Sequence, residues 1–99
     1  MNPFQSLVDL VSWTNLEKLE KATMQGDIQD INVQSRRTGN TILHVCERWL
    51  DALERSGPGW DKINAKISFL IANRADPSIR NFDGRSAVEE ATYMRRYVA

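Results

Sequence analysis

The sequence predicts an all-α protein built from short helices that are joined in pairs and separated by extended loops. Apolar residues recur at helical spacing in several segments, and most of these segments follow a residue that can cap a helix. One segment, a glycine, a variable residue, a hydroxyl side chain and two apolar residues, occurs twice, 45 positions apart. The copies lie within residues 38–46 and 83–91.

Each copy of this segment predicts a tight turn followed by the start of a helix. Gly39 and Gly84 suit a turn because glycine adopts a positive φ without steric cost. Thr41 and Ser86 follow them and can accept hydrogen bonds from the first amides of a helix. Glu89, three residues after Ser86, completes a capping box in the second copy.

Two helices are expected before the first copy. Asn2 is the predicted cap of the first helix, which carries an apolar stripe and ends at Trp13. Thr14, with Glu17 three residues later, predicts a capping box for the second helix, and Gly26 predicts its end. The stripe of the first helix is Phe4, Leu7, Val8 and Val11.

The third helix is expected from Thr41 to about Glu54, with one apolar face. Residues 27–40, which precede it, show no helical period and predict an extended linker that ends in a turn. The apolar face consists of Ile42, Leu43, Cys46, Trp49, Leu50 and Leu53.

The residues from Ser56 to Gly59 predict a break, after which Asp61 can cap a fourth helix. That helix is expected to end before Pro77. A last helix is expected from Ser86 to about Tyr97, and the whole chain is interpreted as six helices in three pairs. Candidate packing residues are Ile63, Ile67, Leu70 and Ile71 in the fourth helix, and Val88, Ala91, Tyr93 or Met94, and Val98 in the last.

The segment Gly39-Asn40-Thr41-Ile42-Leu43-His44-Val45-Cys46 resembles the signature of the ankyrin repeat. Residues 30–34 and 75–84 resemble the linkers that join one ankyrin repeat to the next. The resemblance implies an ankyrin-type solenoid of helix-turn-helix pairs joined by extended finger loops, with about two and a half repeats. It assigns residues 1–37 to an N-terminal capping repeat, 38–82 to a central repeat with an enlarged inter-helix loop, and 83–99 to a partial C-terminal capping repeat.

The chain departs from the ankyrin pattern in several ways. Ile42 and Ala87 replace the proline of the signature, and Glu89 stands where the second copy would carry histidine. The copies are 45 residues apart, against about 33 in the family. The first linker is about one residue longer than the second. The additional residues that separate the two copies, relative to an ankyrin repeat, lie near Trp60.

Composition limits the possible functions. The 99 residues make one domain at most, and 13 basic residues balance 13 acidic ones, which disfavours a dedicated nucleic-acid or anionic-membrane binder. A single Cys46 forms no internal disulfide, so a reducing, cytoplasmic compartment is expected. Apolar runs are too short for a membrane span, and the N-terminus lacks the pattern of a signal peptide. These features are also compatible with delivery of the protein into a host cell.

No catalytic or cofactor motif is recognised. The sequence has neither a glycine-rich phosphate loop nor zinc-ligand spacing, and no cofactor or metal is expected. His44 and Cys46 are two positions apart on one helix, where side chains diverge by roughly 200°, which does not suit direct proton transfer. The ankyrin resemblance implies that His44 forms a hydrogen bond between neighbouring turns.

Residues that could bind a partner cluster near the predicted finger tips. The alternative for the charged ones is that they are solvated turn residues. Trp60 is expected in the enlarged loop, and there, like Phe82, it either folds over the core or serves as an exposed anchor. Trp13 is expected at a helix junction. The partner-binding candidates are Arg36, Arg37, Asn40, Trp60, Arg80, Phe82 and Arg85.

The ankyrin resemblance implies a small non-enzymatic module that binds another protein and acts by occupancy, as an inhibitor or adaptor. A phage- or pathogen-encoded inhibitor and a bacterial immunity protein both fit this mode of action. One alternative is a structural unit that forms a homodimer through exposed apolar ends. Another, less favoured, is nucleic-acid binding through Arg36, Arg37, Arg80, Arg85, Arg95 and Arg96.

Overall fold

The computed structural model of the chain describes residues 2–53, 55 and 57–97, and within them every regular element is an α-helix. The all-α prediction is therefore confirmed for this part of the chain. Five helices are described where three pairs were expected, because α5 has no pair helix among the described residues. They are α1 (Pro3–Trp13), α2 (Leu16–Met24), α3 (Ile42–Asp51), α4 (Pro58–Ala72) and α5 (Ala87–Tyr97).

The first two helices begin with asparagine caps. The Asn2 Oδ1 atom accepts hydrogen bonds from the backbone N–H groups of Phe4 and Gln5, as the sequence predicted. The cap of α2 is Asn15, whose Oδ1 accepts from the N–H of Lys18 at 2.9 Å. The prediction that Thr14 caps α2 is wrong, because Thr14 is the residue that ends α1.

The start of α4 lies four residues earlier than the sequence analysis placed it, because the predicted cap was Asp61 and the observed cap is Gly57. Gly57 is the N-cap and Pro58 the first helical residue, a position where the fixed φ of proline and its missing N–H cost nothing. Asp61 therefore lies inside the first turn, and Trp60 belongs to a helix and not to a loop. Helix α3 ends at Asp51 with Ala52 as its C-cap, so the expected end at about Glu54 is wrong by about three residues. Ser56 and Val98 fall outside the described residues.

The ends of α2 and α4 have the same hydrogen-bonding pattern. Gly26 and Arg74 have φ values of 78° and 76°, in the left-handed region. The following N–H groups, of Asp27 and Ala75, donate to carbonyl groups five residues back at 3.0 and 2.9 Å. These are the bonds of a Schellman motif, so the two helices end in the same way.

Helix α3 is central, because it packs against α1, α4 and α5, while α2 packs against α4. The side chains of Asp51 and Arg95 form an ion pair of 3.0 Å between the C-terminal turns of α3 and α5. Their N-terminal ends are also joined, through His44 and Arg85. Contacts at both matching ends show that α3 and α5 lie side by side and parallel.

The core is formed mainly by the predicted apolar stripes. Trp49 is half-buried and packs against this core. The expectation of a packed Trp13 is wrong, since 85% of its surface is exposed, and Val88 is 58% exposed. Leu53 and Ile71 are also exposed, at 40% and 44%. The core cluster is Leu7, Val11, Leu19, Ile42, Leu43, Cys46, Ile67, Leu70, Ala75 and Ala87.

No helix among the described residues combines the length and the apolar character needed to cross a bilayer.

Replacing Leu43 tests the central position of α3. Leu43 is 2% exposed, so Leu43→Ala should lower the free energy of unfolding by about 2–5 kcal/mol through lost burial and a residual cavity. Leu53→Ala removes the same atoms from a side chain that is 40% exposed and should cost less. Urea unfolding of both variants provides the measurement, and equal losses would contradict the assigned core.

Candidate functional site

The first turn, residues 35–40, is closed by backbone hydrogen bonds. The N–H of Ser35 donates to the carbonyl of Asn40, and the N–H of Gly39 donates to the carbonyl of Ser35, both at 2.8 Å. Gly39 has a φ of 75°, as its place in a tight turn requires. The Ser35 hydroxyl oxygen accepts from the N–H groups of Arg37 and Thr38. This network holds the turn in one conformation.

The second turn, residues 81–85, repeats this design with one residue fewer. The N–H of Asn81 donates to the carbonyl of Arg85, and the N–H of Gly84 donates to the carbonyl of Asn81, both at 2.9 Å. Gly84 has a φ of 77°. The Oδ1 atom of Asn81 accepts from the N–H groups of Asp83 and Arg85. The extra residue of the first turn accounts for its longer linker in the sequence.

The two turns contact each other directly. The N–H of Phe82 donates to the carbonyl of Thr38 at 2.9 Å, and the side-chain amide of Asn81 donates to Oδ1 of Asn40 at 3.0 Å. The ring and backbone of Phe82 lie so close to Gly39 that a Cβ there would meet them at 2.6–2.9 Å. The turns therefore form one continuous ridge.

Behind the ridge, His44 links the starts of α3 and α5. Its Nδ1 accepts the backbone N–H of Thr41 at 3.0 Å and lies 2.9 Å from the Thr41 hydroxyl. Because Nδ1 accepts, the proton of the neutral ring lies on Nε2, which donates to the Arg85 carbonyl at 2.9 Å. The turn-to-turn hydrogen bond expected for His44 is thus present. Both ring nitrogens are engaged, so neither acts on Cys46.

The bases of the two linkers also match. The carboxylates of Asp30 and Asp76 accept from the N–H groups two residues on, at 2.9 and 2.8 Å. Asn32 joins the linkers by donating to the Arg74 carbonyl and accepting from the N–H of Asp76. Linker and turn are therefore held along their length.

Three of the predicted partner-binding residues are freely presented on the ridge. Phe82 is 68% exposed although one edge of its ring packs on Gly39. Arg36 and Arg37 are exposed, and no ion pair among the described residues involves them. Phenylalanine and arginine are both enriched at protein–protein interfaces relative to the rest of the protein surface. We call Arg36, Arg37 and Phe82 the ridge triad.

The other arginines of the site are engaged in the fold. Arg80 donates to the Gly84 carbonyl at 2.7 Å and pairs with Glu89 at 3.0 Å. Arg85 pairs with Glu90, and its guanidinium lies 3.8 Å from the centre of the Tyr93 ring. The Arg85 guanidinium is thus engaged within the fold and is not presented to a partner at the tip of the second turn. It neutralises Glu90, which is 8% exposed in the first turn of α5.

Trp60 lies apart from these turns. It lines a groove of about 370 Å³ formed by the end of α3, the start of α4 and one side of α5. Leu53 and Val88 line the same groove. The structure therefore divides the predicted set, with Trp60 on one surface and the six other residues in the paired turns or, for Arg80, directly before the second turn.

Sequence reasoning missed a buried lysine. Lys66 is 7% exposed, and its Nζ donates to the Val11 carbonyl at 2.7 Å, in the last turn of α1. Burial lowers the pKa of Lys66, and burial raises the pKa of the Cys46 thiol to about 12. The available signal was spacing, since Lys66 lies on the stripe of Ile63, Ile67 and Leu70.

No group of three or more His, Cys, Asp or Glu side chains is suited to hold a metal ion in the part of the chain that the structure describes. Comparisons of the chain with protein-family models, curated proteins and solved structures find no match.

Replacing the turn glycines tests the contact between the turns. Gly39→Ala and Gly84→Ala both place a side chain at a positive φ, which costs about 1 kcal/mol. Only at Gly39 does the new Cβ also collide with Phe82, while nothing lies within 4 Å of Gly84. Gly39→Ala should therefore lower the free energy of unfolding by clearly more than Gly84→Ala, measured by urea denaturation. Similar losses would contradict the close contact.

The buried Cys46 thiol predicts a loss of stability in alkali. Below pH 9 the thiol is un-ionised in both the folded and the unfolded chain. Between pH 9 and about 12 it ionises in the unfolded chain but not in the folded one, so the free energy of unfolding falls across this window. The difference between the unfolded and folded pKa values of Cys46 corresponds to a loss of roughly 4 kcal/mol in the free energy of unfolding. Lys66 acts in the opposite direction, because its lowered pKa makes stability rise towards pH 10.5.

Comparing the wild type with Cys46→Ala isolates the thiol, since Lys66 is present in both. The free energy of unfolding should fall more steeply for the wild type across this pH window. Parallel pH profiles for the two proteins would contradict a buried, un-ionised Cys46.

Proposed function

We propose that the chain is a short ankyrin-type stack that acts as a non-enzymatic protein-binding module through the ridge triad. The observation that carries this proposal is the fixed presentation of Phe82, with Arg36 and Arg37, on two hydrogen-bonded turns. Binding to a preorganised surface loses less conformational entropy than binding to flexible loops. The ridge needs no rearrangement to meet a partner.

The repeat assignment is supported by four pairs of equivalent positions in the same order along the chain. The order is a left-handed helix end, an aspartate that starts a turn, a glycine at positive φ and a hydroxyl residue before a helix. The side-by-side arrangement of α3 and α5, with α2 against α4, agrees with stacked helix pairs. The pairs are Gly26 and Arg74, Asp30 and Asp76, Gly39 and Gly84, and Thr41 and Ser86.

The chemistry of the ridge favours an acidic partner segment that carries an apolar side chain. Arg36 and Arg37 offer guanidinium groups that bind carboxylates with two parallel hydrogen bonds. Phe82 offers apolar area at a low cost in side-chain entropy. Asn40 lies at the edge of this surface, half-buried and hydrogen-bonded to Asn81, and positions the second turn.

The module acts by occupancy. When the ridge is bound to a partner, it covers a segment of that partner and blocks access to it. If the chain also binds a second protein, the same contact holds the two proteins together. Inhibition and bridging both follow from this mechanism. Neither needs a reactive group on the ridge.

Substitution of the ridge triad tests the proposal. The variant Arg36→Ala/Arg37→Ala/Phe82→Ala should lose the proteins that the immobilised wild type retains from a lysate, as identified by mass spectrometry. The midpoint of thermal unfolding should change little, because all three side chains are exposed.

A matched control is Lys18→Ala/Lys21→Ala/Met24→Ala, which removes two exposed cations and one exposed apolar side chain from α2. This control should retain the partners of the wild type. Equal retention by both variants would refute the ridge as the binding surface, and loss by both would show only non-specific charge attraction and would also refute it.

A further inference from the structure

A second surface, which the sequence analysis did not single out, lies between α1 and the segment after α2. It is a cleft of about 390 Å³ with an apolar floor that includes Leu7, Leu10 and Ile28. Asp27 and Asp30 form part of its wall. We call this the acidic cleft.

The acidic cleft and the ridge triad are complementary in charge and in polarity. Residues 1–34 carry five acidic and two basic residues, whereas the rest of the chain carries eight acidic and eleven basic ones. No ion pair among the described residues involves Asp27 or Asp30. The cleft thus combines two carboxylates without an ion pair with an apolar floor, although Asp30 also accepts the N–H of Asn32. The ridge combines guanidinium groups without an ion pair with an exposed phenyl ring.

We propose that the acidic cleft binds the ridge triad of a second copy of this chain. Phe82 of one copy enters the apolar part of the cleft, where Leu10 and Ile28 of the other are half-buried. Arg36 and Arg37 meet Asp27 and Asp30 at the wall. The contact is heterologous, since it joins two different surfaces, so it either closes as a reciprocal dimer or extends into a chain of molecules.

Self-association of this kind covers the surface that the proposed function assigns to a partner. A partner and a second copy then compete for Arg36, Arg37 and Phe82. Increasing protein concentration lowers the fraction of free ridges. The inference shares its ridge with the proposed function, but it is tested on the purified chain alone.

Sedimentation equilibrium of the purified protein, at several concentrations and at low and high salt, measures the association. We expect the average mass to rise with concentration and to fall with salt, which screens the exposed charges. Asp27→Arg should weaken the association by about tenfold or more, because like charges then face each other across the interface. Glu20→Arg makes the same charge change on an exposed position of α2 outside the cleft and should have little effect.

Mixing two defective variants identifies the surfaces involved. Asp27→Arg has a defective cleft and an intact ridge, while Arg36→Asp/Arg37→Asp has an intact cleft and a defective ridge. Each alone should be largely monomeric, but a mixture should form a one-to-one complex, because one native contact remains between them.

Two outcomes would overturn the proposal. One is a wild-type protein that stays monomeric at every concentration. The other is a pair of variants that stay monomeric when mixed, although circular dichroism shows both to be folded. Failure of the partner pull-down, by contrast, would leave these sedimentation results unchanged and would refute only the proposed function.

Discussion

The structure depends above all on the imidazole of His44. A buried polar group is costly unless it is fully hydrogen-bonded, and His44 is 1% exposed. Its ring satisfies this requirement by accepting from the start of its own helix and donating to the carbonyl of Arg85. Because a ring of fixed size joins them, the starts of α3 and α5 keep one separation. Loss of either partner would leave a buried donor or acceptor without a hydrogen bond.

The surface follows from that connection. With the helix starts fixed, the turns that precede them come into contact, and Phe82 can pack on Gly39 only because glycine has no Cβ. The hydrogen bonds between the linkers and turns involve other polar groups, and Arg36 and Arg37 are exposed and in no ion pair of the described residues. The proposed interaction surface is therefore a consequence of how the turns pack and does not require a separate binding element.

The sequence was informative where the physical cause is local. Helical spacing, caps at Asn2 and Ser86, and the turns at Gly39 and Gly84 depend on residues only a few positions apart. The start of α4 was misplaced because Gly57 and Pro58 suit a loop and a helix start equally well. For the proposed site, the sequence predicted seven partner-binding residues, and of these the structure leaves Arg36, Arg37 and Phe82 exposed on the ridge. It missed the acidic cleft, whose walls come from distant residues.

What the sequence determined by itself is the helical class, most helix ends and the pair of equivalent turns, since each rests on backbone geometry and short-range hydrogen bonds. Only the tertiary structure decided which large side chains are covered. Val88 satisfies helical spacing and Trp13 was expected to pack at a helix junction, yet both are exposed, because burial depends on whether another element packs there. The same applies to charge. Arg85 and Arg36 look alike in sequence, but only Arg85 has a carboxylate and an aromatic ring beside it in space.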